Sequence, residues 1–389
     1  MFLSTLFSAV SVFLLARWLG PGQFGLYGTV LAITAILTDA VDLALSGTIV
    51  NFGAKDHQLR EGLLKYGFLL KLGLGLFLGG FLTLISAPLA NWLNRDLLRP
   101  LRVVAVLTPI LLMHRFPRSI LQAKKHFLAD SILEVIASLS RLLVLWLIYL
   151  AGRLNLINGI LSYFGSYLAT FLIGAKLISW NWLKAAVNRE VRQNFHRFQK
   201  WLTFGFILAA VHGRIDNAIL VKYAGPAAAG IYQAATRFFL PVVQLTAALT
   251  LVFAPRFASF ASATEARTYL HKGWKLTGLL SGLVLLIIPL APLFVDLIYG
   301  QNYQAAIAVT RILSWGYASF IAVAPFSAYL IYSQNRTRAF AVINLVQLVL
   351  ILALNLLLVP SYQAVGAAWA MTLTLTSVNL LIVIMAVKP

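Results

Sequence analysis

Apolar runs of about twenty residues recur from one end of this chain to the other, and few folds can accommodate them. A helix rises about 1.5 Å per residue, so each run can cross a hydrocarbon core of about 30 Å. Of the 389 residues, 60% are hydrophobic and 11% are charged, whereas soluble domains carry about a quarter charged residues. That balance cannot cover a water-facing surface. Stretches such as 142–150 and 345–358 do not alternate apolar with polar residues, as strands of a membrane barrel would. The sequence predicts an all-α integral membrane protein.

Twelve spans are expected, at 1–19, 24–49, 63–90, 101–113, 132–151, 154–178, 201–223, 227–253, 274–297, 305–332, 339–359 and 364–387. The fourth contains Pro109 and continues, kinked, towards Leu121. Lys and Arg number 31 against 11 Asp and Glu, a net charge of +20. In a soluble protein that excess would suggest nucleic acid. Here the charges sit in short loops without a basic stripe, so they read as orientation determinants and contacts to anionic membrane lipids, with no nucleic-acid partner. The even-numbered loops hold most of them, for example Arg115, Arg118, Lys124 and Lys125, then Arg256, Arg267, Lys272 and Lys275. Lys and Arg favour the cytoplasmic side, which predicts that both termini are cytoplasmic. Met1 opens inside the first apolar run and no small-residue cleavage site precedes Arg17, so a cleavable signal peptide is not expected.

One turn occurs twice. Arg17-Trp18-Leu19-Gly20-Pro21 followed by Gly25-Leu26-Tyr27 returns as Lys222-Tyr223-Ala224-Gly225-Pro226 followed by Gly230-Ile231-Tyr232. Repeats this far apart indicate two copies of one module, as in many transporters. Six spans precede the second module, so it enters with the same orientation as the first. The expected organisation is a six-helix lobe at 1–180, a basic cytoplasmic linker at 181–200 and a second six-helix lobe at 201–389, related by a parallel pseudo-two-fold repeat. Within the turn, Gly20 and Gly225 suit a left-handed helix end, and Pro21 and Pro226 suit the start of the next helix.

These motifs resemble the polysaccharide-biosynthesis flippases, the O-antigen and teichoic-acid exporters of the multidrug/oligosaccharidyl-lipid/polysaccharide exporter superfamily. The stretch from Leu15 to Tyr27 is similar to the family's turn after its first helix. Asp216 to Tyr232 is similar to its seventh and eighth helices, and Leu121-Gln122-Ala123 fits its fourth-to-fifth loop. Asn355-Leu356-Leu357-Leu358-Val359-Pro360 with Gly366-Ala367-Ala368-Trp369-Ala370 is similar to its eleventh-to-twelfth junction. The chain is short for such a family, as a minimal or trimmed copy would be. The resemblance implies a secondary-type transporter in a bacterial or archaeal cytoplasmic membrane. Such a transporter turns a polyprenyl-pyrophosphate-linked oligosaccharide from the inner to the outer leaflet, alongside glycan-assembly proteins.

Charged residues inside spans cost about 2.5–3.5 kcal/mol at the bilayer centre and normally face a polar cavity. Arg141, Arg214, Arg237 and Arg311 lie deep in expected spans, and Lys71 is shallower. Arginine forks suit phosphate oxygens, so these five are the candidate substrate cations. The alternative is that they neutralise the acids at comparable depth, Asp39, Asp42 and Asp216, with Glu134 near an inner end. Asp39 and Asp42 share one helix face, where two carboxylates cannot both ionise cheaply unless paired. His212 and Asp216, four apart, fit either a proton-carrying pair or a structural hydrogen bond. Asp39, Asp42, His212 and Asp216 are thus the coupling candidates, for H+ or Na+.

Other chemistries find no support. There is no phosphate-cradling Gly-x-x-x-x-Gly-Lys-[Ser/Thr] loop, no metal-ligand spacing and no cysteine, and no cofactor is expected. Gly73, Gly75 and Gly79 lie inside a span, where close helix packing explains them. A drug or organic-cation antiporter of the same superfamily needs an acidic, aromatic site, which four deep arginines oppose. A polyprenyl-linked glycan polymerase or glycosyltransferase needs larger outer loops.

Overall fold

The computed structural model describes residues 2–55, 60–187, 189, 192, 193, 195, 203, 210–260, 262–334 and 336–387. Among the described residues every regular element is helical, as a bilayer requires where no water can satisfy an open sheet edge. The chain divides into two compact units. One is Met1–Leu19 with Leu26–Ala218, and the other is Gly20–Gly25 with Ile219–Pro389.

The first unit is built on α1 (Phe2–Lys55), α2 (Arg60–Leu93), α3 (Leu98–Met113), α4 (Arg115–Ala123), α5 (Phe127–Leu150) and α6 (Leu156–Leu177). Helices α2 and α3 form a hairpin whose tight packing follows from one proline and two glycines. Pro109 has no N–H, so the Ala105 carbonyl four residues earlier loses its intrahelical donor. Gly79 brings its bare Cα to that oxygen, and a Cβ on Gly75 would lie 2.9 Å from the Cα of Pro109. Gly73 faces open space. The joint between α3 and α4 is a kink rather than a loop, because His114 N–H still reaches Ile110 O at 3.0 Å. The expected fourth span therefore runs on, as Arg95–Ala123. At one end of the unit, Leu45, Ile49, Phe116, Leu133, Trp182 and Phe195 form a buried core. Lys65 Nζ donates to Ala185 O at 3.0 Å, so the start of the expected linker is fastened to this unit. Most of 181–200 lies outside the described residues.

The second unit contains α7 (Ile215–Arg237, all but its first turn), α8 (Leu240–Ser259), α9 (Ala263–Leu285), α10 (Ile287–Ile298), α11 (Ala305–Ala322), α12 (Ala324–Ala328) and α13 (Thr337–Val387). Helices α9 and α10 are bent by 48° across Leu286. Phe253, Phe257, Leu270, Tyr329, Ile343 and Val378 belong to one hydrophobic core of this unit.

Eight described helices are long and apolar enough to cross a membrane, or nine if the bent pair counts as one span. The expected number was twelve. The difference has a geometric source: α1 and α13 run on through expected span junctions, with their backbone breaks at Gly20 (φ 71°) and Gln363 (φ 51°). A third break, at Gly225 (φ 85°), falls inside α7 where the seventh and eighth spans were expected to join. Much of the expected seventh span lies outside the described residues.

Candidate functional site

The first unit gathers an unusual amount of charge for its surroundings. Lys71 on α2 is completely buried. Its Nζ donates to Asp42 Oδ1 at 2.6 Å, Ser46 Oγ at 2.7 Å and Leu112 O at 3.3 Å. An ammonium carries three protons, and here each has an acceptor. Arg115 Nη1 stands 3.2 Å from the other Asp42 oxygen, so one carboxylate bridges two cations. Lys71 was expected as a shallow cation able to reach the interface. It is instead the centre of a closed, buried network.

Asp39 takes a different partner. Arg214 Nη2 donates to its Oδ2 at 2.6 Å, with both side chains partly exposed. The problem posed by two carboxylates on one helix face is therefore met by giving each its own guanidinium or ammonium. Further along, Arg118 pairs with Asp130 at 2.6 Å and with Glu134 at 3.3 Å, while Gln122 donates to the second Asp130 oxygen at 2.8 Å. These pairs realise the neutralising alternative for Lys71 and Arg214.

Arg141 differs from them. It is 8% exposed, and among the described residues no carboxylate lies within ion-pair distance. Its Nε is buried without a hydrogen-bond partner. Its guanidinium rests on two rings presented four residues apart by α6, at 4.3 Å from the Tyr163 centroid and 5.3 Å from that of Tyr167. Cation–π attraction partly replaces lost hydration but offers no hydrogen-bond acceptor to Nε. The platform is itself braced. Tyr167 Oη donates to Tyr163 Oη at 3.0 Å, and the His114 ring stacks on Tyr167 at 4.0 Å. His114 Nδ1 pairs with Leu111 O, which fixes a proton on Nδ1, because a carbonyl only accepts.

Of the remaining candidates, Arg237 and Arg311 belong to the second unit, and His212 and Asp216 to the first. Arg237 is half-buried in the last turn of α7. Burial pushes the neighbouring Tyr299 phenol up, and the Arg237 cation opposes that shift. Tyr299 Oη donates to Ala234 O at 2.9 Å. Arg311 is exposed, and its Nε donates to Ile288 O at 3.2 Å. That carbonyl lies four residues before Pro292, so proline has removed its intrahelical donor and Arg311 supplies a replacement. His212 and Asp216 are not paired. Arg214 N–H bonds to Val211 O and Asn217 N–H to Arg214 O, three-residue closures that interrupt the helix the i, i+4 spacing assumed. His212 Nε2 is buried without a partner, and Asp216 Oδ1 accepts instead from the Asn217 backbone at 2.8 Å.

Sequence reasoning missed Arg115, Arg118, Tyr163 and Tyr167. The two arginines count in the sequence only as basic loop residues that set orientation, although the fourth span is expected to continue, kinked, towards Leu121. The spacing of Tyr163 and Tyr167 on one face of α6 was a usable signal.

A family model described as polysaccharide biosynthesis protein matches residues 14–308. The chain belongs to that family. The chain is also similar to the lipopolysaccharide biosynthesis protein WzxC of Escherichia coli (strain K12), 25% identical over 321 residues and covering 78% of this chain. The chain spans 62% of that relative's length. The fold is similar to that of solved membrane transporters. An inward-facing multidrug resistance MATE transporter matches with a TM-score of 0.79 at 14% identity, covering 98% of this chain and 93% of that one. The lipid II flippase MurJ in an inward closed conformation matches with a TM-score of 0.79 at 13% identity, covering 98% and 86%. This member of the polysaccharide biosynthesis family is thus a multi-pass membrane protein of MATE- and MurJ-like fold.

Proposed function

We propose that this chain is a secondary-type transporter that flips a polyprenyl-pyrophosphate-linked oligosaccharide from the inner to the outer leaflet of a bacterial or archaeal cytoplasmic membrane. It would work by alternating access between two six-helix lobes, with both termini cytoplasmic. Family membership supports a role in polysaccharide export. The single observation that favours an anionic substrate is Arg141, a buried guanidinium with no carboxylate partner among the described residues and an unpartnered Nε. Carrying an unpaired cation into a low-dielectric interior costs free energy, and a pyrophosphate oxygen arriving beside it would recover that cost through charge-assisted bonds. The aromatic platform holds the guanidinium in place through its face.

The neighbouring carboxylates weigh against a drug or organic-cation antiporter. Asp39, Asp42 and Asp130 each already bind a cation of the protein. Coupling to H+ or Na+ would then act by exchanging one of these protein cations for the ion, with Asp39 and Asp42 as the exchange points. Arg237 and Arg311 remain the other candidate substrate cations behind Arg141, whereas Lys71 and Arg214 already hold carboxylates of the protein.

The test is transport by Arg141→Lys and Arg141→Ala in flippase-deficient cells at matched membrane abundance. Lysine keeps the charge and loses the planar fork, so transport should fall in part with Lys and at least about tenfold with Ala. Full transport by Arg141→Ala at normal abundance would remove the anionic-substrate reading.

A further inference from the structure

What keeps Arg141 in place lies on neither the helix that carries it nor the helix that cradles it. Its guanidinium rests on Tyr163 and Tyr167 of α6, whose rings meet edge to face with centroids 4.8 Å apart. Both tyrosines are only partly buried. A side chain on a helix has more than one staggered setting of χ1, so a partly buried ring needs a neighbour if it is to stay against a cation. For Tyr167 that neighbour is His114, at the joint between α3 and α4. The imidazole lies flat against the phenol ring, with centroids 4.0 Å apart and planes 20° from parallel. Tyr167 Oη in turn donates to Tyr163 Oη at 3.0 Å, so a hold on one ring reaches both members of the platform.

His114 can serve as that hold because it is itself tied down. It is buried, and the bond from Nδ1 to Leu111 O sets the plane of the ring. Its backbone N–H reaches Ile110 O at 3.0 Å. The residues on either side are fastened by charge: Leu112 O accepts from Lys71 Nζ at 3.3 Å, and Arg115 Nη1 stands 3.2 Å from Asp42 Oδ2. The joint is thus anchored to α1 and α2, and it presents one ring to α6. Stacking needs only a flat ring. The ring is therefore the working part of His114, and its nitrogen only orients it.

We propose that His114 is a positioning residue for Arg141, holding Tyr167, and through it Tyr163, against the guanidinium that meets the substrate's phosphate oxygens. This rests on the reading of Arg141 as a substrate cation, but the positioning is measurable without substrate. Three substitutions separate the ring from its hydrogen bond. His114→Phe keeps a flat ring and loses the bond to Leu111 O. His114→Gln keeps an N–H donor and has no ring, and His114→Leu keeps neither. His114→Gln retains the anchoring donor, so the ringless state stays testable where His114→Leu does not fold. Each variant that elutes with the parent on size-exclusion chromatography is placed in lipid nanodiscs with its arginines 15N-labelled. The Nε–H resonance of Arg141, assigned by its loss in Arg141→Lys, should lie upfield of those of exposed arginines, because ring currents shield protons over a ring face. It should stay there in His114→Phe and move towards the exposed arginines in both ringless variants. Any other pattern, above all an unmoved resonance without the ring, overturns the positioning role. A second arm titrates the same samples with inorganic pyrophosphate by calorimetry. Its binding should weaken about two- to tenfold in the ringless variants, the range an aromatic pair contributes, and be regained in His114→Phe. Unweakened binding in a variant whose resonance has moved also overturns the proposal. A parent that does not bind pyrophosphate would count against the anionic-substrate reading instead, while the resonance still decides whether His114 positions Arg141.

Discussion

Replacing Asp42 with leucine should destabilise the first unit more than any other single change in its charge network. The substitution leaves Lys71, which is completely buried, with Ser46 Oγ and Leu112 O but no counter-charge. Breaking a buried ion pair typically costs about 3–5 kcal/mol. An independent bound agrees: an amine that ordinarily titrates near 10.4 can be neutralised at pH 7 for roughly 4–5 kcal/mol, so the penalty should not exceed that. For a unit of this size, 1 kcal/mol moves the melting temperature by about 2–4 °C, which gives a drop of roughly 6–20 °C. Lys71→Met should cost less, because Asp42 keeps Arg115 at 3.2 Å. The double variant Asp42→Leu with Lys71→Met should recover much of the loss, since replacing both members of a buried pair is often close to neutral. The measurement is the fraction of monodisperse protein surviving a heating series in detergent. An Asp42→Leu protein that melts with the parent, or a double variant worse than Asp42→Leu alone, would refute the reasoning.

Gly79→Ala should lower the melting temperature measurably in the same heating series, because its Cβ would meet the Ala105 carbonyl, while Gly73→Ala, facing open space, should leave it unchanged. Arg311→Ala should cost no more than about 1 kcal/mol, the worth of one exposed bond to the Ile288 carbonyl, read the same way. Gly225→Val should reduce folded yield on size-exclusion chromatography, because a β-branched side chain resists the φ of 85° found there. Reporter fusions at Arg267 should signal from the cytoplasm and fusions at Asp96 from outside, and the opposite pattern would reverse the proposed orientation.

Composition and periodicity were enough to determine that this chain is helical and lives in a membrane. Segments as apolar as 142–150 have no other stable solvent, and their backbone can be satisfied only within a helix. The repeat around Gly20 and Gly225 was equally legible, because positive φ leaves a mark on residue type: both positions are glycine, at 71° and 85°. Close packing was expected of Gly73, Gly75 and Gly79 alike, from their small size inside a span; Gly75 and Gly79 show it and Gly73 faces open space. Depth in the membrane could also be estimated by counting along a helix, which is how Arg141 was found. Partners could not be estimated that way. Lys71 and Asp42 are 29 residues apart, and Arg214 and Asp39 are 175 apart. Nothing local distinguishes these neutralised cations from Arg141, whose partners are rings on another helix. The His212–Asp216 pair failed for a related reason, since spacing implies a contact only while the helix is continuous. Which charges are neutralised by carboxylates and which rest on rings depends on how helices distant in sequence pack together, and only the tertiary structure decides that.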